Sequence, residues 1–440
     1  MAPYDSTRFR TTHNSYSGGA RDSIPHQLSA GVRGLELDVH DNGYDTLGDF
    51  RVGHLKPGSE VALGHGNPDT PRLRDWLGAI ARWSDANPTH APVTLVLDLK
   101  GDLTDAGGDL ADLNAALAES LGTRLFTRDD YDLSGRWPDV DDLRGRVLCV
   151  LSGHGGSRAA YRWAFGTVPT VTANAAGRVA LVYQSTAGDL NCWVGTAAPA
   201  GIEWQRKATY GLGLLGLEQP AIALSEDSWI VAVHRLVRGE PAFPVLESRV
   251  GRIGDDGRIK WFASQFYANG HQPSLQIDGN EVREIHVTQD GARRQQVLGT
   301  LNRQSRKIDW RQARATTAAP FVRDEARWTG GQLRCGVDAD GVIRCGSSQG
   351  SSRPVRFVQL AFVEEQKPGE VAVLRDARFF AATAEDRNAI VEARRRGLVV
   401  RAWGFGASNQ APTPPENLPA TDTPEADWYA KYMAGPDVAG

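Results

Sequence analysis

The chain has 440 residues, 41% hydrophobic and 23% charged, ordinary globular values that exclude wholesale disorder and collagen-like repeats. Forty-nine basic against fifty-three acidic residues leave a formal charge of −4, which argues against a dedicated nucleic-acid binder. No apolar run reaches the roughly 18 residues that span a bilayer, and the start MAPYDSTRFR reads as carrying no signal peptide.

In the first 155 residues short apolar runs alternate with helix-like stretches. Leu35–Val39, Val93–Leu99 and Arg146–Leu151 read as strands, and residues 71–83 and 103–121 carry apolar side chains at helical spacing. Buried strands alternating with helices predict a parallel α/β sheet or barrel. From residue 158 to 316 the helix signals vanish and a repeat appears. PTVTANAAGRVALVYQ starts at Pro169, PAIALSEDSWIVAVHR at Pro220 and PSLQIDGNEVREIHV at Pro273, spaced 51 and 53 residues apart. Each unit runs on to a strand ending in tryptophan: Trp204, Trp261 and Trp310. Three such repeats of short strands predict propeller-like blades. The tryptophans read as blade-packing residues rather than sugar platforms, and the equivalent Tyr183, His234 and His286 as structural.

After residue 317 the α/β texture returns. Strands are expected over 356–363, 398–403 and 418–422, with a helix over 384–395. The domains expected are therefore one α/β barrel in two parts, 1–157 and 317–440, interrupted by an all-β insertion at 158–316. The four cysteines show no CxxC spacing, which disfavours zinc and thioredoxin-type chemistry. Cys335 and Cys345 flank an Asp/Gly turn. They can face each other as a disulfide, implying an oxidising compartment, or stand as two half-buried thiols.

Six of the ten histidines fall within the first 90 residues. Asn14 follows His13, Glu36 and Asp38 point the same way from one strand, and Asp98 lies near the end of another. Three carboxylates and an amide oxygen are hard ligands suited to Ca²⁺, or secondarily Mg²⁺, rather than zinc. Exposed carboxylates at strand ends are also common without any metal. His13 with His54, in Phe50-Arg51-Val52-Gly53-His54, offers an acid/base pair near neutral pH. Lys100, two residues beyond Asp98, can neutralise a phosphate oxygen. No Ser/Cys triad is evident. His26 and His90 read as structural, and Ser152–Gly156 as a hinge or a phosphate loop. Arg401 and Trp403 are candidates for phosphate contact and ring stacking, or for packing.

The segment THNSYSGGARDSIPHQLSAGVRGLELDVHD resembles the catalytic X region of phosphoinositide-specific phospholipase C, sharing the His-Asn-Ser-Tyr start, the Gly-Val-Arg and the Leu-Glu-Leu-Asp strand in order. FRVGH is similar to that family's strand with the second histidine, and LRDWLGAIARWSDANPTHAPVTLVLDLKGD to its bacterial calcium-dependent branch. The likeness covers about residues 5–155, and the insertion has no counterpart. It implies a TIM-type (β/α)8 barrel with its site at the C-terminal strand ends. It further implies Asn14, Glu36, Asp38 and Asp98 as Ca²⁺ ligands, His13 at the phosphoryl centre, and His54 protonating the leaving alkoxide, with His65 as a rival. Asp98 stands where animal enzymes have glutamate, a shorter arm. The implied reaction cleaves phosphatidylinositol-type lipid at a membrane surface by attack of its own 2-hydroxyl, giving a cyclic phosphodiester; the protein is read as secreted, with the cytoplasm as the alternative. Two alternatives stand beside it. One is a barrel phosphodiesterase for glycerophosphodiester or sphingomyelin-like lipids, against which counts the missing His-Arg-Gly start. The other is a binding protein whose β insertion takes a glycan or surface ligand while the barrel is idle.

Overall fold

The computed structural model describes residues 2–103, 108–185, 188–199, 201–211, 217–238, 243–347, 350–366, 377–383, 385–405 and 418–421. The first apolar runs become β1 (Thr11–Thr12), β2 (Gly34–His40), β3 (Arg51–Val52), β4 (Val93–Leu99) and β5 (Val147–Gly153). β2 is buried along its whole length, as a parallel strand covered on both faces must be. β2, β4 and β5 run parallel, with Asp38 opposite Asp98 and Asp98 opposite Ser152, whereas β3 turns back antiparallel to β2.

Between them lie α1 (Ile24–Ser29), α2 (Tyr44–Leu47), α3 (Leu73–Ala86), α4 (Leu110–Leu121), α5 (Arg128–Ser134) and α6 (Gly155–Arg162). The expected helix over 71–83 is α3, which buries Leu73, Trp76, Leu77 and Ile80 on one face. The helix expected over 103–121 starts later, at an Asp109/Asp112 capping box; residues 104–107 lie outside the described ones. Among the described residues no helix is long and apolar enough to cross a bilayer.

The strands between residues 166 and 354 form four sheets of consecutive antiparallel strands, the fourth lying beyond residue 316. The first holds β6 (Gly166–Ala173), β7 (Arg178–Ser185), β8 (Leu190–Ala198) and β9 (Gly201–Gly211). The second holds β10 (Leu217–Leu224), β11 (Trp229–Arg238), β12 (Phe243–Ile253) and β13 (Ile259–Asn269). The third holds β14 (His271–Asp278), β15 (Glu281–Val287), β16 (Arg294–Asn302) and β17 (Lys307–Trp310), with β18 (Arg314–Thr316) on β16. The fourth holds β19 (Glu325–Trp328), β20 (Gly331–Val337), β21 (Ile343–Ser347) and β22 (Arg353–Pro354).

The three repeats are the first three sheets. The fourth lacks their Pro start and Trp end and is instead tied by a disulfide between Cys335 and Cys345, which sit directly opposite each other. In each repeat the closing tryptophan lies across a glycine of the third strand. A Cβ would come within 3.1 Å of the indole at Gly195 (Trp204), 2.8 Å at Gly251 (Trp261) and 2.7 Å at Gly299 (Trp310). The tryptophans are thus blade packing. His286 is buried, with Nδ1 2.8 Å from Glu284 Oε2 and Nε2 3.2 Å from Gln295 Oε1, and His234 Nε2 lies 3.8 Å from Glu247 Oε2. Both are internal partners. Because Gly299 faces Ile308 as well as Trp310, Gly299→Ala is expected to cost about 1–3 kcal/mol by overpacking. Urea unfolding checks this, and an unchanged midpoint would show that the indole does not lie over residue 299.

The chain then returns through β23 (Phe362–Glu365), β24 (Phe379–Thr383), α7 (Arg387–Arg395), β25 (Val399–Phe405) and β26 (Leu418–Thr421). The strand expected over 356–363 shortens to begin at Phe362, because Phe357 packs within the insertion on Trp193 (4.6 Å between rings) and Val358 is exposed. Residue 384 of the expected helix and residue 422 of the last strand lie outside the described ones. Contacts divide the chain into Met1–Arg162 with Val358–Gly440, and Trp163–Phe357. In the first unit one sheet has the order β1-β26-β25-β24-β23-β5-β4-β2-β3, and β1 also meets β2 at Thr11 opposite Gly34.

The α/β TIM-type (β/α)8 barrel expected from the sequence is corrected here. The described residues are mostly β, 45% strand against 20% helix, with a half-barrel parallel sheet and a four-blade propeller-like arrangement. The strand–helix alternation of residues 1–157 does not continue as eight equal units. β1 is two residues long, β3 reverses direction, and α7 is the one described helix of the C-terminal stretch. Four β sheets then tip the overall class.

Candidate functional site

The period of two along β2 puts Glu36 and Asp38 on one face, and parallel register sets Asp98 opposite Asp38. One carboxylate oxygen from each of the three lies within 4.8 Å of the others. The segment after β1 is bound onto this face. Ser15 Oγ accepts the Glu36 N–H at 2.8 Å, Thr12 Oγ1 and Ser15 Oγ share a hydrogen bond at 2.7 Å, and Gln27 Nε2 donates to the Ser15 carbonyl at 2.9 Å. These contacts hold Asn14 in the left-handed region at φ 49°, a strained conformation for a residue with a side chain. The outcome is specific: the Asn14 N–H donates to Glu36 Oε2 at 3.2 Å, and His13 Nε2 stands 3.6 Å from the same oxygen.

Two cations meet the acidic set. Lys100 Nζ is 2.8 Å from Asp38 Oδ2 and also pairs with Asp98. Arg401, on β25 and buried, donates through Nη1 to Glu36 Oε1 at 2.9 Å and through Nη2 to Glu364 Oε1 at 2.8 Å. Burial first, then the charges of Asp98 and Glu36, push the Asp38 carboxyl up to about 6, against the pull of Lys100. Burial works against the charge on Lys100, but Asp98 and Asp38 outweigh it and hold the ammonium above its usual range.

The donor set fits a hard divalent cation. Asp38 Oδ1 is buried with no hydrogen-bond partner. Among the described residues the carboxylates of Glu36, Asp38, Asp98 and Glu364 face two positive side chains, Lys100 and Arg401, so acidic groups outnumber basic ones there. Asn14 Oδ1 accepts from Tyr16 at 3.2 Å, the neutral oxygen of the same cluster.

Six of the seven residues singled out in the sequence are brought together by these contacts: His13, Asn14, Glu36, Asp38, Asp98 and Lys100. His54 follows Gly53, whose N–H donates to the Asp38 carbonyl at 3.2 Å. Its ring is half-exposed, with Nδ1 3.2 Å from Glu60 Oε1. His65 takes a left-handed φ of 52° in the loop beyond. His40 is structural, its Nε2 2.8 Å from the Gly53 carbonyl. In Ser152–Gly156, His154 Nδ1 accepts the Ser157 N–H at 3.3 Å and so tethers the first turn of α6.

Comparison with solved structures finds two kinds of neighbour, calcium-dependent phospholipases C and a mutant of AofleA from Arthrobotrys oligospora, the latter 10% identical over 44% of this chain and 60% of its own with a TM-score of 0.20. The calcium-dependent phosphoinositol-specific phospholipase C of a Gram-negative Pseudomonas sp., in a myoinositol complex, is 27% identical, covers 34% of this chain and 57% of its own, and has a TM-score of 0.29. The Ca²⁺-dependent phosphatidylinositol-specific phospholipase C of Streptomyces antibioticus is 22% identical over 38% of this chain and 58% of its own, with a TM-score of 0.30. The likeness is weak and partial. The chain spans less than two thirds of the length of these enzymes. No family model and no curated protein matches it.

Sequence reasoning missed three members of the cluster. Tyr16 lies inside the His-Asn-Ser-Tyr motif; burial first, then the charges of Asp38, Glu36 and Glu60, push its phenol well above the usual range. Glu364, the third residue of β23, gave no signal, since the strand was expected to end before it. Ser152 Oγ accepts from Arg401 Nη2 at 3.2 Å and from Gln366 Nε2 at 3.1 Å. Tyr16, in the His-Asn-Ser-Tyr motif, and Ser152, in Ser152–Gly156, had readable cues; Glu364 had none.

Proposed function

We propose that the protein is a Ca²⁺-dependent phosphodiesterase that cleaves phosphatidylinositol-type lipid in the manner of a phospholipase C. The observation that carries this reading is His13 Nε2 beside Glu36 Oε2, on the edge of a buried three-carboxylate cluster. Glu36, Asp38, Asp98 and the Asn14 amide oxygen would hold the ion. When bound, calcium supplies positive charge to a phosphoryl oxygen and lowers the pKa of the attacking hydroxyl.

The side chains do the rest. The substrate's 2-hydroxyl oxygen attacks phosphorus, and its proton passes to His13, whose ring Glu36 orients. The bond from phosphorus to the glycerol oxygen breaks, and His54, backed by Glu60, gives that alkoxide a proton. Lys100 turns part of its charge to the phosphate, whose negative charge grows in the transition state. The attacking group belongs to the substrate, so no protein nucleophile is needed. A cyclic phosphodiester leaves first. The Cys335–Cys345 disulfide fits work in an oxidising compartment.

The test is release of water-soluble inositol product from phosphatidylinositol vesicles, with calcium and with chelator. Product is expected with calcium only. No product under either condition would overturn the reading.

A further inference from the structure

The sequence offered Arg401 as a contact for substrate phosphate. The structure gives the guanidinium other work. Arg401 is 3% exposed, and its donors are taken up inside the sheet. Nη1 goes to Glu36 Oε1 at 2.9 Å, Nη2 to Glu364 Oε1 at 2.8 Å and Ser152 Oγ at 3.2 Å, and Nε to Glu364 Oε2 at 3.3 Å. The planar fork thus spans three strands, Glu36 on β2, Ser152 on β5 and Glu364 on β23. It also lies over the Trp403 ring, 5.1 Å from its centre.

Two consequences follow. A guanidinium so enclosed does not reach a substrate lying at the strand ends. And Glu36, held at Oε1 by Arg401, is left one oxygen, Oε2, which faces the Asn14 N–H and His13. A carboxylate on an unbranched arm has several rotamers of similar energy; a fixed bond at one oxygen selects among them.

We propose that Arg401 is a positioning residue, which fixes Glu36 so that Oε2 alone is presented to a divalent cation and to His13. Glu364 is its counter-ion: two oxygens on one guanidinium edge commit the fork and keep Arg401 from cancelling the charge of Glu36 outright. The inference rests on the calcium-dependent reading above and adds to it which residue sets the geometry of the site. Outer partners of this kind typically change metal affinity by about 10–100-fold when removed. Lysine does not substitute, since a single ammonium cannot hold Glu36 and both oxygens of Glu364 in one plane.

The experiment uses the full chain, calcium alone in isothermal titration calorimetry, and steady-state kinetics on phosphatidylinositol at saturating calcium. Arg401→Lys is expected to weaken calcium binding about 10–100-fold, and to lower kcat while KM stays within about twofold, as befits a residue that touches no substrate. Should Arg401→Lys not fold, Arg401→Gln combined with Glu364→Gln removes the pinning bond without leaving Glu364 charged and unpaired, and the same loss of affinity is expected. Wild-type calcium affinity in either folded variant overturns the proposal. So does a raised KM with calcium affinity intact, which would make Arg401 a substrate contact. A wild-type protein that takes up no calcium removes this inference and the metal-dependent reading together. Calcium uptake that is the same in wild type and variant removes the inference alone.

Discussion

His13→Ala is expected to lower turnover of phosphatidylinositol about 10²–10⁴-fold, the usual contribution of a positioned acid/base group. The ring is partly exposed, with Nε2 3.6 Å from Glu36 Oε2. That oxygen still accepts the Asn14 N–H when the ring is removed. Thermal unfolding should change little while activity collapses. The paired measurement is soluble product release against a melting curve on the same sample. Full residual activity in a folded variant would refute the role. His54→Ala and His65→Ala decide the second histidine. The contact with Glu60 favours His54, so loss is expected there, and His65→Ala should stay near wild type.

Asp38→Asn should divide affinity from stability. The amide keeps the volume but removes one charge from the cluster, and calcium binding is expected to weaken by at least about tenfold. In chelator the sign reverses. The folded carboxyl titrates at about 6, above an ordinary aspartate near 3.8, so its ionised form is disfavoured in the fold. That cost is absent below pH 4, grows through pH 6 and is fully present above it. The asparagine variant in chelator should therefore be more stable than wild type at pH 7, by roughly 1–3 kcal/mol, and equal to it near pH 3.5. Urea unfolding at the two pH values checks this. An unchanged calcium requirement in the variant would exclude Asp38 as a ligand.

Much of the site was legible because strand periodicity and motif order are local. Glu36 and Asp38 share a face by their spacing of two, and the apolar run ending at Asp98 had to be a neighbouring buried strand. What was not legible depends on pairs distant in the sequence. Arg401 and Glu36 stand 365 residues apart and meet only because β25 and β2 belong to one sheet. Glu364 went unseen for the same reason. The fold was misjudged where a resemblance over residues 5–155 was extended to the whole architecture: it implied an eightfold ring, whereas β3 reverses and strand outweighs helix among the described residues. The propeller-like insertion was read from its Pro and Trp marks. The sheet without those marks, closed by Cys335 and Cys345, stayed hidden.

The most direct test of the central claim is the ³¹P spectrum of phosphatidylinositol incubated with the full chain, followed in time with calcium and again with chelator. The account predicts a cyclic phosphodiester resonance that appears first, only with calcium, and later gives way to a monoester. A monoester from the outset, or a cyclic product formed equally in chelator, would contradict it.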